Sequence, residues 1–147
     1  MAKTYRPSFF LRAGNAFATV FLRAGIRIGP MSLLTVSGRK SGQPRTTPVA
    51  ILEREGKRYL IAPYGVVNWV RNLRAAGGGR LTRGRSSQAI TAVELSPRDA
   101  APILKFALGA GPSFLRSYYD VTPSSPLEDF EREAPRHPVF QLIEGSA

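Results

Sequence analysis

The stretch of residues 33–45 constrains the fold of this chain more than any other part of the sequence. Its first residues are apolar and β-prone, with Leu33, Leu34 and Val36 in a short run, which predicts a buried strand. The strand ends near Ser37, and the sequence SGQP at positions 41–44 predicts a turn. A second β-prone run follows, so the stretch is predicted to form two strands joined by a tight loop.

Three cations lie on or just beyond this predicted loop, namely Arg39, Lys40 and Arg45. Held together between two strands, they form a group suited to binding a phosphate or a carboxylate, and arginine binds such groups in a bidentate manner. The alternative is a solvated hairpin tip, since most charged loops bind nothing specific. The loop alone leaves both interpretations open.

Composition narrows the class of protein and its partners. A chain of 147 residues with 43% hydrophobic residues is predicted to be one globular domain, spanning residues 1–147. Its net charge of +11 indicates an anionic partner, which is a nucleic acid, an acidic membrane surface or a polyanionic small molecule. With no cysteine and a single histidine, His137, thiolate catalysis is excluded and no metal site is expected.

The N-terminal segment, residues 1–30, is predicted to be an amphipathic helix over residues 8–28. Phe17 and Phe21 share one face, and Arg23 and Arg27 lie on the other. Two interpretations remain open, a helix packed on the core with a solvated basic face, and a helix lying on an anionic membrane surface. Because no apolar run is long enough to span a membrane and no signal peptide is recognised, we predict a cytoplasmic location, with peripheral contact to the plasma membrane as an open alternative.

The rest of the chain alternates short strands and helices. Strands are predicted over residues 32–37, 46–54, 57–63 and 138–143, with a turn at Glu55-Gly56 between the second and the third and a hairpin over 80–95. Helices are predicted over residues 67–76, from the N-cap Ser96 to residue 108, and after the capping sequence at 125–128. The predicted fold class is α+β, a barrel-like sheet surrounded by about four helices.

Two features of this pattern carry specific predictions. Pro48 within the second strand predicts an edge or a bulge, because proline cannot donate a ladder hydrogen bond. The glycines at 77–79 follow a predicted helix rather than opening one, so we interpret them as a helix stop and a linker and not as a phosphate-binding loop.

Two motifs resemble a known family. The sequence TVSGRKSGQPR at positions 35–45, followed by Pro48, and then Trp69 with Asn72-Leu73, resembles the deazaflavin-dependent nitroreductases and F420H2-dependent quinone reductases of actinobacteria. The resemblance covers roughly residues 31–95, with weaker similarity near residues 137–140. It implies a split β-barrel with flanking helices that binds reduced coenzyme F420 and passes a hydride to a quinone or a nitroaromatic acceptor.

The resemblance also implies roles for particular residues. Those implied in cofactor binding are Arg39, Lys40, Arg45, Thr47, Pro48, Ala62, Tyr64, Gly65, Asn68, Trp69 and Asn72. Those implied at the reacting end are Tyr64, Tyr118 and Tyr119, where a tyrosine ring stacks on a quinone or its hydroxyl donates a hydrogen bond or a proton. Core packing is the alternative role of Trp69, and His137 is interpreted as structural.

Other functions stay open at this point. One is a non-catalytic carrier of a lipid or fatty acid with the same fold at the membrane surface, which the amphipathic N-terminal helix would suit. Another is a split barrel that binds FMN. A nucleic-acid partner is not expected, because the arginines are spread over several elements and no recognition motif is present.

Overall fold

The computed structural model describes residues 31–111 and 113–144. The helix predicted over residues 8–28 lies outside them. The strands are β1 (Met31–Ser37), β2 (Pro44–Arg54), β3 (Lys57–Ile61), β4 (Gly78–Arg83), β5 (Ser86–Glu94) and β6 (Val139–Glu144). The α-helices are α1 (Asn68–Ala76), α2 (Pro97–Ala110) and α3 (Leu127–Glu133), and two 3₁₀ helices cover Ser113–Tyr118 and Ala134–Arg136.

The strands form a closed barrel in the order β1-β2-β3-β6-β5-β4, and every neighbouring pair is antiparallel. The circle closes where residues 33–35 of β1 pair with residues 80–82 of β4. The last strand, β6, lies between β3 and β5. The predicted α+β class and the barrel with helices around it are confirmed.

The barrel encloses an apolar core built from alternate residues of its strands. Leu34, Leu60 and Phe140 point inward and are almost completely buried. Helix α1 adds Val70 and Leu73 to the same core, so it packs over the barrel end that contains the β1–β2 loop. Burial of each large side chain contributes roughly 2 kcal/mol to stability.

A second apolar cluster lies on the outer face of the barrel. There, Tyr59 of β3 and Val139 of β6 pack against Leu104 of α2 and Phe130 of α3. Side chains of β3 and β6 alternate between the two faces of the sheet, so each strand contributes residues to the barrel core on one face and to this cluster on the other. The helices α2 and α3 are therefore fixed against β3 and β6.

Two local predictions are confirmed in detail. The β2–β3 turn at Glu55-Gly56 has positive φ angles of 53° and 77° at these two residues, as a tight two-residue hairpin requires. Helix α2 begins after Ser96, whose side-chain oxygen accepts a hydrogen bond of 3.2 Å from the Asp99 N–H, with Pro97 in the first helical position.

The interpretation of residues 77–79 as a linker is wrong. Gly77 does end α1, with a left-handed φ of 73° and an N–H that donates to the Leu73 carbonyl at 2.8 Å. Gly78 and Gly79, however, belong to β4 and pair with Thr91 and Ile90 of β5. A Cβ atom on Gly79 would lie 2.5 Å from the backbone oxygen of Thr35, so the missing side chain allows β4 to approach β1.

Within the described residues, no helix has the length and apolar character needed to cross a membrane.

Candidate functional site

The β1–β2 loop is compact and held by its own backbone. The Gly38 N–H donates to the Gln43 carbonyl at 2.8 Å, and the Gly42 N–H donates to the Gly38 carbonyl at 2.9 Å. Gly42 has a left-handed φ of 70°, which favours glycine. A Cβ on Gly38 would lie 2.9 Å from the Ser41 side-chain oxygen. These glycines therefore give the loop its shape.

The predicted cations lie on this loop and at the start of β2, and all three are exposed. Arg39 is anchored by a residue of helix α1, because its backbone N–H and its Nη1 both donate to the Oδ1 atom of Asn72, at 3.1 and 2.8 Å. Asn72 lies on α1 and is only 6% exposed. Helix α1 thus holds the β1–β2 loop in place through the side-chain oxygen of Asn72. The predicted contact between Asn72 and the cofactor stays a prediction.

Next to the loop, part of β2 has one free edge. Residues 44–50 of β2 pair with β1 alone, and pairing with β3 starts at Ile51, which faces Leu60; this holds for the residues that the structure describes. Pro48 falls within the free edge, so its predicted edge position is confirmed. Backbone groups around Thr47 are therefore available to a ligand along this edge.

Across from this edge, the chain leaves β3 through residues 62–65. Ala62 is fully buried in the barrel core, together with Val49 of β2. Its N–H donates to the Pro138 carbonyl at 3.0 Å, and the Gly65 N–H donates back to the Ala62 carbonyl at 3.3 Å. Gly65 has a φ of 97°, so residues 62–65 form a tight bend.

The bend brings Tyr64 against Tyr118, which lies at the end of the first 3₁₀ helix. Their ring centroids are 5.0 Å apart at an interplanar angle of 76°, which is a favourable edge-to-face contact. Both tyrosines are half-buried. Two of the three tyrosines implied at the reacting end therefore lie together.

Tyr119 points elsewhere. It is 9% exposed, belongs to the apolar cluster under α2 and α3, and stacks on the ring of His137 at 3.8 Å. Burial, with the negative charge of Glu133, raises the pKa of Tyr119 above its ordinary value of 10.0, so its hydroxyl stays protonated. This position favours a packing role, and the catalytic role of Tyr119 stays a prediction.

His137 is buried, as expected of a structural histidine, at 2% exposure. Its Nδ1 lies 3.1 Å from the Ala62 carbonyl and its Nε2 lies 3.0 Å from the Tyr118 carbonyl. Burial lowers the pKa of His137 below 6.5, while these two carbonyls and the Glu133 carboxylate act in the opposite direction. Both ring nitrogens face carbonyl oxygens, which only accept, so both contacts are hydrogen bonds when the ring carries two protons; the Glu133 carboxylate, 3.2 Å from Nε2, stabilises that form.

The remaining predicted residues lie on the first turn of α1. Asn68 is exposed. Trp69 is half-buried and packs against the barrel core, with its ring centroid 6.3 Å from that of Phe140. The contact explains how Trp69 is fixed, and the side chain stays partly exposed.

Sequence reasoning missed the polar residues that hold this region together. The carboxylate of Glu133 lies 3.2 Å from Nε2 of His137 and also accepts hydrogen bonds from Asp120 N–H and from Arg136. The spacing of Glu133 and His137, four residues apart, was a signal that could have indicated the pair.

Comparison with known proteins identifies the family. The model of the F420H2-dependent quinone reductase family matches residues 14–118, well over half of the chain. A solved F420-H2 dependent reductase (FDR-A) has a TM-score of 0.56 and 24% identity, over 78% of this chain and 95% of its own. A structure described as a domain-swapped dimer has a TM-score of 0.57 and 21% identity, over 94% of this chain and 100% of its own.

A more distant likeness is to a Clostridium acetobutylicum protein related to general stress protein 26 of B. subtilis, of the pyridoxinephosphate oxidase family. It has a TM-score of 0.51 and 14% identity, over 87% of this chain and 82% of its own. No curated protein matches the chain. The structural likenesses show the split-barrel fold, and none of these comparisons supports the alternative of a lipid carrier. The family match shows that this chain belongs to the F420H2-dependent quinone reductase family and is an oxidoreductase whose cofactor is coenzyme F420.

Proposed function

We propose that this enzyme transfers a hydride from reduced F420 to a quinone, at the end of the barrel where three parts of the chain meet. These parts are the β1–β2 loop, the free edge of β2 and the bend at residues 62–65. The observation that carries the proposal is the anchored loop: Asn72 fixes Arg39 while two further cations stay exposed beside an unpaired strand edge.

The chemistry of these residues fits the cofactor. Coenzyme F420 carries a phosphate and a glutamate tail, so it is polyanionic, and Arg39, Lys40 and Arg45 supply cations that could hold this tail. The deazaflavin ring is planar and has carbonyl and N–H groups on its edge. The free backbone groups near Thr47 and Pro48 could bind that edge, because β3 does not use them.

The protein's part in the reaction is to bind, orient and exclude water. Reduced F420 supplies the hydride, and a quinone becomes a hydroquinone by taking up that hydride and one proton. Trp69, which is partly exposed, would shield the ring from solvent, whereas Ala62 has no exposed surface and would act only through the bend that it begins. Tyr64 and Tyr118 form an aromatic wall on which a flat quinone could stack, and either hydroxyl could hydrogen-bond the quinone oxygen and pass the proton.

The proposal is tested by binding and turnover. Trp69 is the only tryptophan of the chain, so quenching of its fluorescence reports on this region of the barrel directly. We expect saturable quenching by oxidised F420 and none by FMN, followed by faster oxidation of reduced F420 with menadione than with a nitroaromatic compound. Faster turnover of the nitroaromatic compound would overturn the choice of quinone.

The tyrosine pair gives a sharper prediction. We expect Tyr118→Phe and Tyr64→Phe to keep the ring contact and the F420 affinity, while at least one of them lowers kcat with menadione by about tenfold, because a proton donor is lost. Tyr59→Phe is the matched control, since Tyr59 lies in the outer cluster and should leave kcat unchanged. If neither variant differed from that control, the tyrosines would have no part in the proton transfer.

A further inference from the structure

His137 joins the two segments whose tyrosines form the aromatic wall of the proposed acceptor site. On one side of its ring, Nδ1 lies 3.1 Å from the carbonyl of Ala62, which is 75 residues away in the chain and begins the bend that carries Tyr64. On the other side, Nε2 lies 3.0 Å from the carbonyl of Tyr118 itself. With a proton on each nitrogen, this one side chain bridges the backbones on which both site tyrosines depend.

The ring is held in one orientation by its surroundings. Tyr119 stacks on its face at 3.8 Å with an interplanar angle of 10°. The Glu133 carboxylate lies 3.2 Å from Nε2 and is itself held by the Asp120 N–H and by Arg136, at 3.3 and 3.1 Å. Arg136 also donates to the Asp120 carboxylate at 2.5 Å. With these contacts the imidazole cannot rotate away from the two carbonyls.

We propose that His137 is a positioning residue, which sets Tyr118 and Tyr64 relative to each other through the carbonyls of Tyr118 and Ala62. The proposal rests on the function proposed above and adds a residue that touches neither cofactor nor acceptor. The tyrosine rings meet edge to face at 5.0 Å, and the contact needs both backbones at fixed places. Loss of the bridge frees the bend from the 3₁₀ helix that ends at Tyr118.

Two conservative variants separate the two arms of the bridge. The amide nitrogen of an asparagine side chain occupies nearly the position of histidine Nδ1, and that of a glutamine occupies nearly the position of Nε2. His137→Asn therefore keeps the link to Ala62 and loses the link to Tyr118, whereas His137→Gln does the reverse. His137→Phe keeps a ring to stack on Tyr119 and loses both links.

The first readout is amide hydrogen exchange, which needs neither cofactor nor turnover. We expect exchange in His137→Asn to be about tenfold faster in residues 113–118 only, and in His137→Gln in residues 62–65 only. His137→Phe should show both changes. Equal exchange in all variants and wild type, or the same change in both segments for every variant, would overturn the proposal.

The second readout is the separation of kcat from binding. We expect His137→Asn and His137→Phe to lower kcat with menadione about tenfold, and His137→Gln to retain at least a third of it, while quenching of Trp69 by F420 is unchanged in all three. Phe130→Leu is the control for general destabilisation, because Phe130 is fully buried in the same cluster.

The kinetic results distinguish a positioning role of His137 from a role in protein stability alone. If Phe130→Leu, at an equal loss of Tm, lowered kcat as much as His137→Asn, the role of His137 would be structural only. If wild type bound F420 but reduced no quinone, the proposed acceptor would be wrong, and the exchange pattern would still decide whether His137 bridges the two segments.

Discussion

Replacing Arg39, Lys40 and Arg45 together by glutamine is expected to weaken the binding of coenzyme F420 about a hundredfold. All three cations are exposed, so each charge-assisted contact is screened by solvent and contributes about 1 kcal/mol, and three of them contribute about 3 kcal/mol. The titration that measures this is quenching of Trp69 fluorescence by F420. The wild-type affinity should also fall as salt is added, and the variant should respond less.

A control variant with the same change in net charge separates the effect of the loop cations from that of the overall charge of the protein. Lys57, Arg85 and Arg98 are likewise exposed, and changing them to glutamine removes three charges from the same total of +11. We expect less than a threefold loss of affinity from this control. Equal losses in the two triple variants would mean that general charge, and not the loop, attracts the cofactor.

Asn72→Ala tests the anchor separately, since it removes no charge. Its loss leaves the Arg39 N–H and guanidinium without their shared acceptor, and we expect an intermediate effect, about fivefold in affinity.

Gly79→Ala is expected to lower the free energy of unfolding by about 3 kcal/mol. The new Cβ would meet the Thr35 backbone oxygen at 2.5 Å and the Val36 side chain at 3.2 Å. Because Thr35 pairs with Arg80 where the barrel closes, relief of this contact must push β4 away from β1. Thermal unfolding followed by circular dichroism should show a Tm lower by about 10 °C.

The same substitution at Gly109 is expected to change the free energy of unfolding in the opposite direction. Gly109 lies within α2 and is exposed, and the nearest atom to an added Cβ is 3.8 Å away, on Pro123. Gly109→Ala should therefore stabilise the protein by up to about 1 kcal/mol through helix propensity. A Gly79→Ala variant that melted with wild type would show that β1 and β4 do not approach closely.

This contrast shows where sequence reasoning was sufficient and where it failed. The turn at Glu55-Gly56, the cap at Ser96 and the edge at Pro48 follow from local chemistry, so they could be predicted. The role of Gly79 depends on the pairing of β4 with β5 and on the approach of β1. Local sequence does not contain that pairing, and a glycine after a helix is typical of a stop.

The candidate site likewise has features that could be predicted from the sequence and features that could not. Its exposed cations could be recognised from the motif around the β1–β2 loop. The bond between Arg39 and Asn72, 33 residues apart, could not. Tyr118 and Tyr119 are neighbours in the sequence, yet one meets Tyr64 and the other stacks on His137. Only the backbone direction at the end of the 3₁₀ helix separates their surroundings.

The position of β6 in the barrel has a consequence for synthesis on the ribosome. Without β6, the other strands form an open sheet in the order β3-β2-β1-β4-β5, and both β3 and β5 are edges that can pair with other chains. β6 pairs with both edges at once, and His137 lies two residues before its first residue. The nascent chain therefore loses its exposed edges and gains the bridge between its two tyrosine segments in a single late step.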